Sequence, residues 1–96
     1  MKTIHKIPLD IKDVVTVRTH AGAEPLLVAC QEDPSGRWIG EKLCVWFRVD
    51  TEKPEVTRRL RIAGTGHAVP TGTHIGSALM GGGRLVWHAF DLGEGT

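Results

Sequence analysis

The feature that most constrains the fold is the strict two-residue alternation of residues 43–50. The apolar set is Leu43, Val45, Phe47 and Val49, and the alternate set is Cys44, Trp46, Arg48 and Asp50. Successive side chains of an extended strand point to opposite faces, so this segment predicts a strand with one buried face. Weaker alternation recurs along the chain, and sustained helical periodicity is hard to find. The sequence therefore predicts an all-β protein.

Apolar or alternating segments are separated by turns rich in glycine and proline, residues that favour turn conformations. The predicted strands cover residues 4–9, 15–18, 26–31, 43–50, 55–63, 74–80 and 85–92, and the predicted turns cover residues 21–25, 32–37, 64–72 and 81–83. A chain of 96 residues fits one domain. We predict a single small antiparallel β-sandwich or barrel of six to seven short strands over residues 1–92, with a flexible tail at residues 93–96.

The segment after Pro54 has two interpretations. Proline suits the first position of a helix, so a short helix that begins there is one of them. The alternation of residues 55–63 favours a strand instead, although Arg58 falls on its apolar face. We predict the strand.

Residues 26–31 form a short apolar run, which predicts a strand that is buried on both faces. A hairpin between this strand and residues 43–50, folded about Gly36 and Arg37, places Cys30 nearly opposite Cys44. We interpret the cysteines as two small core residues, and whether they pair stays open. Two cysteines are too few for a disulfide scaffold.

The charge balance limits the classes of partner. Twelve Lys and Arg residues against eleven Asp and Glu residues leave a net charge of +1. A basic nucleic-acid-binding protein or an acidic DNA mimic carries a larger excess of one sign, so we do not expect nucleic acid as a direct partner. The chain has no long apolar run, and its start lacks the apolar segment of a signal peptide. We expect a cytoplasmic protein with reduced thiols.

Three histidines, His67, His74 and His88, are the best placed for a metal site. No pair of them has the short spacing of a metal-binding motif, and no Cys-x-x-Cys pair accompanies them. Neither Ser35 nor Ser77 stands in a recognisable nucleophile motif. We therefore predict no metal, no cofactor and no catalytic residue.

The glycine-rich segment Gly64-Thr65-Gly66 resembles half of a dinucleotide-binding fingerprint. The third glycine of that fingerprint is replaced by Val69, and no phosphate-binding lysine follows. A tight turn with positive φ angles accounts for these glycines better than a nucleotide site does.

Five residues are our candidates for a binding surface: Trp46, Arg48, Arg59, Arg61 and His67. Trp46 shares a strand face with Arg48, and a tryptophan beside an arginine on a partly polar face is typical of an interface anchor. Arg59 and Arg61 share one face of another strand, where they could meet phosphate or carboxylate groups. A buried tryptophan and a solvated charged face are the alternatives.

Motifs along nearly the whole chain resemble a family of small proteins of tailed phages and prophages whose function is unknown. The motifs are the start Met1–Lys6, Leu43–Trp46, Gly64–His67 with Pro70, His74–Gly76, and Leu85–His88 with Phe90. The 31–42 loop, the glycines at residues 81–83 and the residues after Asp91 depart from that family's pattern.

The resemblance implies a phage accessory protein in the cytoplasm of a bacterial host. Such proteins often act by binding, so we expect a stoichiometric anti-defence inhibitor, similar to an anti-CRISPR protein, whose partner is a host protein complex. One alternative is a structural protein that self-associates, for example as a homodimer. Another is a protein that sequesters a small anionic ligand such as a nucleotide with the glycine loop, Arg61 and His67.

Overall fold

The computed structural model describes residues 1–33, 35–69 and 71–95. Its seven strands are β1 (Lys2–Leu9), β2 (Val14–His20), β3 (Glu24–Glu32), β4 (Glu41–Asp50), β5 (Glu55–Gly64), β6 (Thr73–Met80) and β7 (Leu85–Glu94). They form a three-stranded sheet A in the order β1-β4-β3 and a four-stranded sheet B in the order β2-β5-β7-β6. Every pair of neighbouring strands is antiparallel. The all-β prediction is confirmed, and the architecture is a sandwich rather than a closed barrel.

The choice of a strand after Pro54 is also confirmed, because β5 begins at Glu55 and continues to Gly64. Within the described ranges the structure contains no helix, and hence none that could cross a membrane. Pro34, Pro70 and Thr96, which fall in the predicted loops and tail, lie outside the described residues.

Strand β7 runs two residues beyond its predicted end at residue 92. Arg59 pairs with Gly93 and Leu60 pairs with Asp91, so the intervening residue of β7 forms a bulge. Gly93 adopts a φ of 97°, a conformation that glycine permits, and the strand continues past it. The Gly95 N–H then donates to the Thr57 carbonyl oxygen at 2.8 Å. Residues 93–95, which the sequence assigned to a tail, are thus bonded to sheet B.

The core lies between the two sheets, with β4 at its centre. The alternation of β4 is realised as predicted, because Leu43, Val45, Phe47 and Val49 are all buried on the inner face of sheet A. Side chains of sheet B pack against them: Val15, Val17, Leu60, Ile62, Ala78 and Ala89, with Trp87 at the margin. Burial of each large apolar side chain stabilises the fold by about 1.5–3 kcal/mol.

The prediction that β3 is buried on both faces is wrong. Leu26 is 43% exposed and Leu27 is 52% exposed. Strand β3 is one of the two edge strands of sheet A, and within the described residues no further sheet covers the outer face of sheet A. A bulge at Leu26 further interrupts the inward and outward alternation of this strand.

The predicted hairpin between β3 and β4 is confirmed, and its register separates the two cysteines. Cys30 pairs with Leu43 and Cys44 pairs with Ala29. Because alternate residues face opposite sides, the Cys30 thiol points to the core and the Cys44 thiol to the outer side of sheet A. Both cysteines are free, and burial raises the pKa of each thiol.

Candidate functional site

The outer face of sheet A brings together side chains from all three strands of that sheet. In the strand register, Trp46 lies between Lys6 and Leu27, and in the next row Arg48 lies between Ile4 and Glu24. Residues that pair directly in antiparallel strands project from the same face, so these side chains are neighbours. We call this surface the Trp46 face; it consists of Ile4, Lys6, Glu24, Leu27, Trp46 and Arg48.

The Trp46 face carries large apolar side chains that are in contact with solvent. Ile4 is 58% exposed and Leu27 is 52% exposed, and the half-buried Trp46 lies on the same face. The outward face of an antiparallel sheet normally carries polar residues. Clustered apolar side chains that include an aromatic residue are typical of a protein-binding surface.

Charged groups border these apolar side chains. Arg48 forms an ion pair with Glu24, and both side chains are more than half exposed. The Lys6 ammonium donates to Gln31 Oε1 at 2.7 Å. Exposed pairs of this kind contribute little to stability, so their charges remain available to a partner at the rim of an interface.

The loop between β3 and β4 adds a second tryptophan beside this surface. Three cations lie 5.5–5.9 Å from the centroid of the Trp38 ring, namely Lys6, Arg37 and Lys42. Asp33 anchors the loop because its carboxylate accepts hydrogen bonds from Ser35 and Arg37. Desolvation raises the pKa of Asp33, but these hydrogen bonds outweigh it and hold that pKa well below its usual range.

Arg59 and Arg61 lie on the opposite side of the molecule, on the outer face of sheet B. The Arg61 side chain is mostly buried and donates to four acceptors: Asp13 O, Asp13 Oδ1, Ile62 O and Ala68 O. Its role in the structure is to fasten the β1–β2 and β5–β6 connections to β5. Arg59 is exposed beside Thr16, Thr57 and Glu94.

The five sequence candidates therefore do not form one site. Trp46 and Arg48 lie together on the outer face of sheet A, and Arg59 and Arg61 lie on the outer face of sheet B. His67 occupies the connection between β5 and β6. Neighbours of Trp46 such as Ile4 and Leu27 were not among the candidates, since only the strand register reveals that they adjoin it.

His67 closes the predicted tight turn. Its backbone N–H donates to the Gly64 carbonyl oxygen at 3.1 Å, and the Gly64 N–H donates to His67 Nδ1 at 3.1 Å. Gly66 has a φ of 89°, which confirms the need for a glycine in this turn. Since Nδ1 accepts a hydrogen bond, neutral His67 carries its proton on Nε2.

Two of the three histidines considered for a metal site do meet, on the outer face of sheet B. Ser77 Oγ lies 3.1 Å from His74 Nε2 and 2.7 Å from His88 Nδ1. One imidazole can donate to the hydroxyl while the hydroxyl donates to the other, so the cluster is satisfied with both rings neutral. His67 lies apart from this cluster, and the described part of the chain holds no group of three or more metal-ligating side chains.

Arg58 enters the interior between the sheets, consistent with its place on the apolar side of β5. Its guanidinium forms a two-pronged pair with the Asp91 carboxylate, donates to the Ala23 carbonyl oxygen, and lies 5.6 Å from the centroid of the Phe47 ring. The hydrogen bonds from Arg58 lower the pKa of Asp91, and this effect is larger than the opposing effect of desolvation, so the pKa lies below its usual value. This pair joins β5, β7 and the β2–β3 turn and is structural.

Comparison with known proteins gives one family. The family model described as domain of unknown function (DUF7352) matches residues 1–95. No curated protein and no solved structure gives a significant match. The chain therefore belongs to the family of the domain of unknown function DUF7352.

Proposed function

We propose that this is a small, non-catalytic phage accessory protein that inhibits a host defence system, in the manner of an anti-CRISPR protein, by binding a host protein complex stoichiometrically. The binding surface in this proposal is the Trp46 face. The observation that carries it is the exposure of Leu27 beside Trp46 and of Ile4 beside Arg48 on the same face. The phage and anti-defence assignment rests on the sequence resemblance to small proteins of tailed phages.

The charges of this surface define the chemistry of the partner. The outer face of sheet A carries four cationic side chains and two acidic ones, namely Lys2, Lys6, Lys42 and Arg48 against Glu24 and Asp50. Charges at the rim of an interface steer association and select the partner. The complementary surface is an apolar patch bordered by carboxylates on a host protein, and the complex forms in the host cytoplasm.

The test uses one pair of matched variants. Leu27→Glu places a carboxylate on the Trp46 face, directly beside Trp46. Leu79→Glu makes the same change at a leucine that is 63% exposed on β6, on the outer face of sheet B. Because burying a leucine contributes about 1.5–3 kcal/mol and a carboxylate resists desolvation, we expect Leu27→Glu to weaken binding at least ~10-fold.

The measurement combines capture of a stoichiometric complex from nuclease-treated host lysate with a plaquing assay in defended hosts. The tagged protein should retain one complex and restore plaquing, Leu79→Glu should do both, and Leu27→Glu should do neither. If the two variants retain the complex and restore plaquing equally well, the Trp46 face is not the binding surface. Failure to restore plaquing against several defence types refutes the anti-defence role.

Self-association is the second candidate function, and the free edge of β1 favours it. Among the described residues β1 pairs with β4 alone, so its other edge is available for backbone hydrogen bonds. A symmetric antiparallel pair of β1 strands would continue sheet A across a homodimer and place two Trp46 faces side by side. Sedimentation analysis should then find twice the 10.5 kDa mass of the chain, and a monomer at high protein concentration contradicts this function.

A further inference from the structure

A second group of exposed apolar side chains lies at the end of sheet A where β4 begins. Ile39, in the β3–β4 loop, is 101% exposed, and Ile11, in the β1–β2 loop, is 42% exposed. Both residues line one depression together with Trp38. A single exposed isoleucine is ordinary, but three large apolar residues around one depression form a patch. We call Ile11, Trp38 and Ile39 the Trp38 patch.

Lys6 joins this patch to the Trp46 face. Its backbone pairs with Trp46, and its ammonium lies 5.5 Å from the centroid of the Trp38 ring. The ammonium of Lys42 lies 5.9 Å from the same centroid. The two apolar surfaces are therefore contiguous, and the charge where they meet is positive.

Hydrogen bonds on both sides of Trp38 hold the patch in position. The Trp38 indole N–H donates to the Gln31 carbonyl oxygen at 3.3 Å. The Asp33 side chain is 2% exposed and accepts hydrogen bonds from Ser35 and Arg37. A surface that is ordered before binding loses little conformational entropy on association, so this patch is suited to binding a partner.

The Trp46 face alone is smaller than a stable protein interface requires. A specific interface takes about 800 Å² and roughly 20–30 residues from each partner, whereas the Trp46 face consists of six residues. A protein that binds there must therefore contact further surface. The depression at the opposite end of sheet A is lined mainly by charged residues, among them Lys2, Glu24 and Asp50. The apolar continuation of the Trp46 face is the Trp38 patch.

We infer that the host protein bound by the Trp46 face also covers the Trp38 patch, and that it carries a carboxylate between two apolar groups. One apolar group packs on Trp46 and Leu27. The carboxylate meets the ammonium of Lys6, and the other apolar group packs on Trp38 and Ile39. This inference rests on the proposed function, because it assigns further contacts to the same partner.

Hydroxyl-radical footprinting of the full chain tests the extent of the interface. The tagged protein is compared free and in the complex that it captures from nuclease-treated host lysate. In the complex, radical modification should fall at Trp38 and Ile39 as well as at Trp46 and Leu27, and it should stay unchanged at Leu79, which is exposed on sheet B. Protection of Trp46 and Leu27 without protection of the Trp38 patch overturns the inference and leaves the proposed function in place. If Trp46 and Leu27 are modified equally in both states, the proposed function fails and this inference fails with it.

Two pairs of matched variants complete the test in the same capture assay. Ile39→Glu should reduce the amount of retained complex at least ~10-fold, because a carboxylate resists desolvation. Val69→Glu makes the same change at a β-branched residue that is 44% exposed in the β5–β6 connection, and it should retain the complex fully. Equal retention by these two variants overturns the extended interface.

The second pair tests the carboxylate of the partner. Lys42→Gln removes a cation beside Trp38 and should reduce the retained complex roughly 2–5-fold, the effect of losing one exposed ion pair. Lys53→Gln removes an exposed cation in the β4–β5 turn and should leave retention unchanged. If Lys42→Gln and Lys53→Gln retain equal amounts, the partner carries no carboxylate at this position.

Discussion

Substitution of Asp91 by asparagine should destabilise the fold far more than any change at an exposed ion pair. The Arg58 and Asp91 side chains are only 11% and 13% exposed, and the guanidinium lies between the sheets beside Phe47. Asp91→Asn keeps the shape of the side chain and removes its charge, so the Arg58 charge is left without compensation. Removing one partner of a buried pair costs about 3–5 kcal/mol.

The lower end of this range applies because the pair retains slight access to solvent and Arg58 still donates to the Ala23 carbonyl oxygen. A loss of about 3 kcal/mol is a large part of the 5–15 kcal/mol expected for a small domain. At about 4–8 °C per kcal/mol, Tm should fall by roughly 12–24 °C. Chemical and thermal unfolding followed by circular dichroism measure both quantities.

The control is Arg18→Gln, which breaks the exposed pair of Arg18 with Glu55 and should cost less than about 1 kcal/mol. A double variant, Arg58→Met with Asp91→Leu, removes both charges and should recover most of the stability lost in Asp91→Asn. The reasoning is refuted if Asp91→Asn unfolds with the same free energy as the control.

Three further predictions concern pH, the core and the thiols. The pKa of Asp91 is lower in the folded state than the unfolded value of about 3.9. The ionised carboxylate therefore contributes its full share of the free energy of unfolding above a pH of about 3.9, and this share is lost as the pH falls through the folded pKa. The stability of Asp91→Asn should lack this loss when unfolding is measured as a function of pH. Phe47→Ala should cost about 3–5 kcal/mol in urea unfolding, whereas Leu27→Ala, at an exposed position, should cost less than about 1 kcal/mol. Cys30 and Cys44 face opposite sides of sheet A and do not form a disulfide, so reductant should leave Tm unchanged, and a reductant-dependent Tm contradicts this arrangement. Because burial raises the pKa of both thiols, the native protein should react slowly with a thiol reagent.

The strands could be predicted because their alternation is a local property of the sequence. The pattern of residues 43–50 specified both the existence of β4 and its buried face. Arg58 was seen to fall on the apolar face of its strand, but its burial in an ion pair was not predicted. Its partner Asp91 lies on another strand, and nothing in the local sequence connects the two.

The position of a strand within its sheet was harder to predict. Residues 26–31 are as apolar as a central strand, yet β3 lies at an edge with Leu26 and Leu27 exposed. The periodicity of a sequence indicates which side chains share a face of a strand. It does not indicate whether another sheet covers that face. Leu27 is also one of the residues of the Trp46 face that sequence reasoning missed.

The candidate residues show the same limit. Trp46 and Arg48 could be paired from the sequence because they are two residues apart on one strand. Arg61 was chosen for its charge, but its donors are bonded to acceptors within the fold. Whether an arginine is available to a ligand depends on contacts from distant segments.

The central claim is that the Trp46 face binds a host protein, and the most direct test compares Leu27→Glu with Leu79→Glu in one defended host. Both variants add one carboxylate at an exposed leucine, so they differ only in the sheet that carries the change. At equal expression, restoration of plaquing by Leu79→Glu together with its loss in Leu27→Glu is the predicted result. Retention of full activity by Leu27→Glu contradicts the claim.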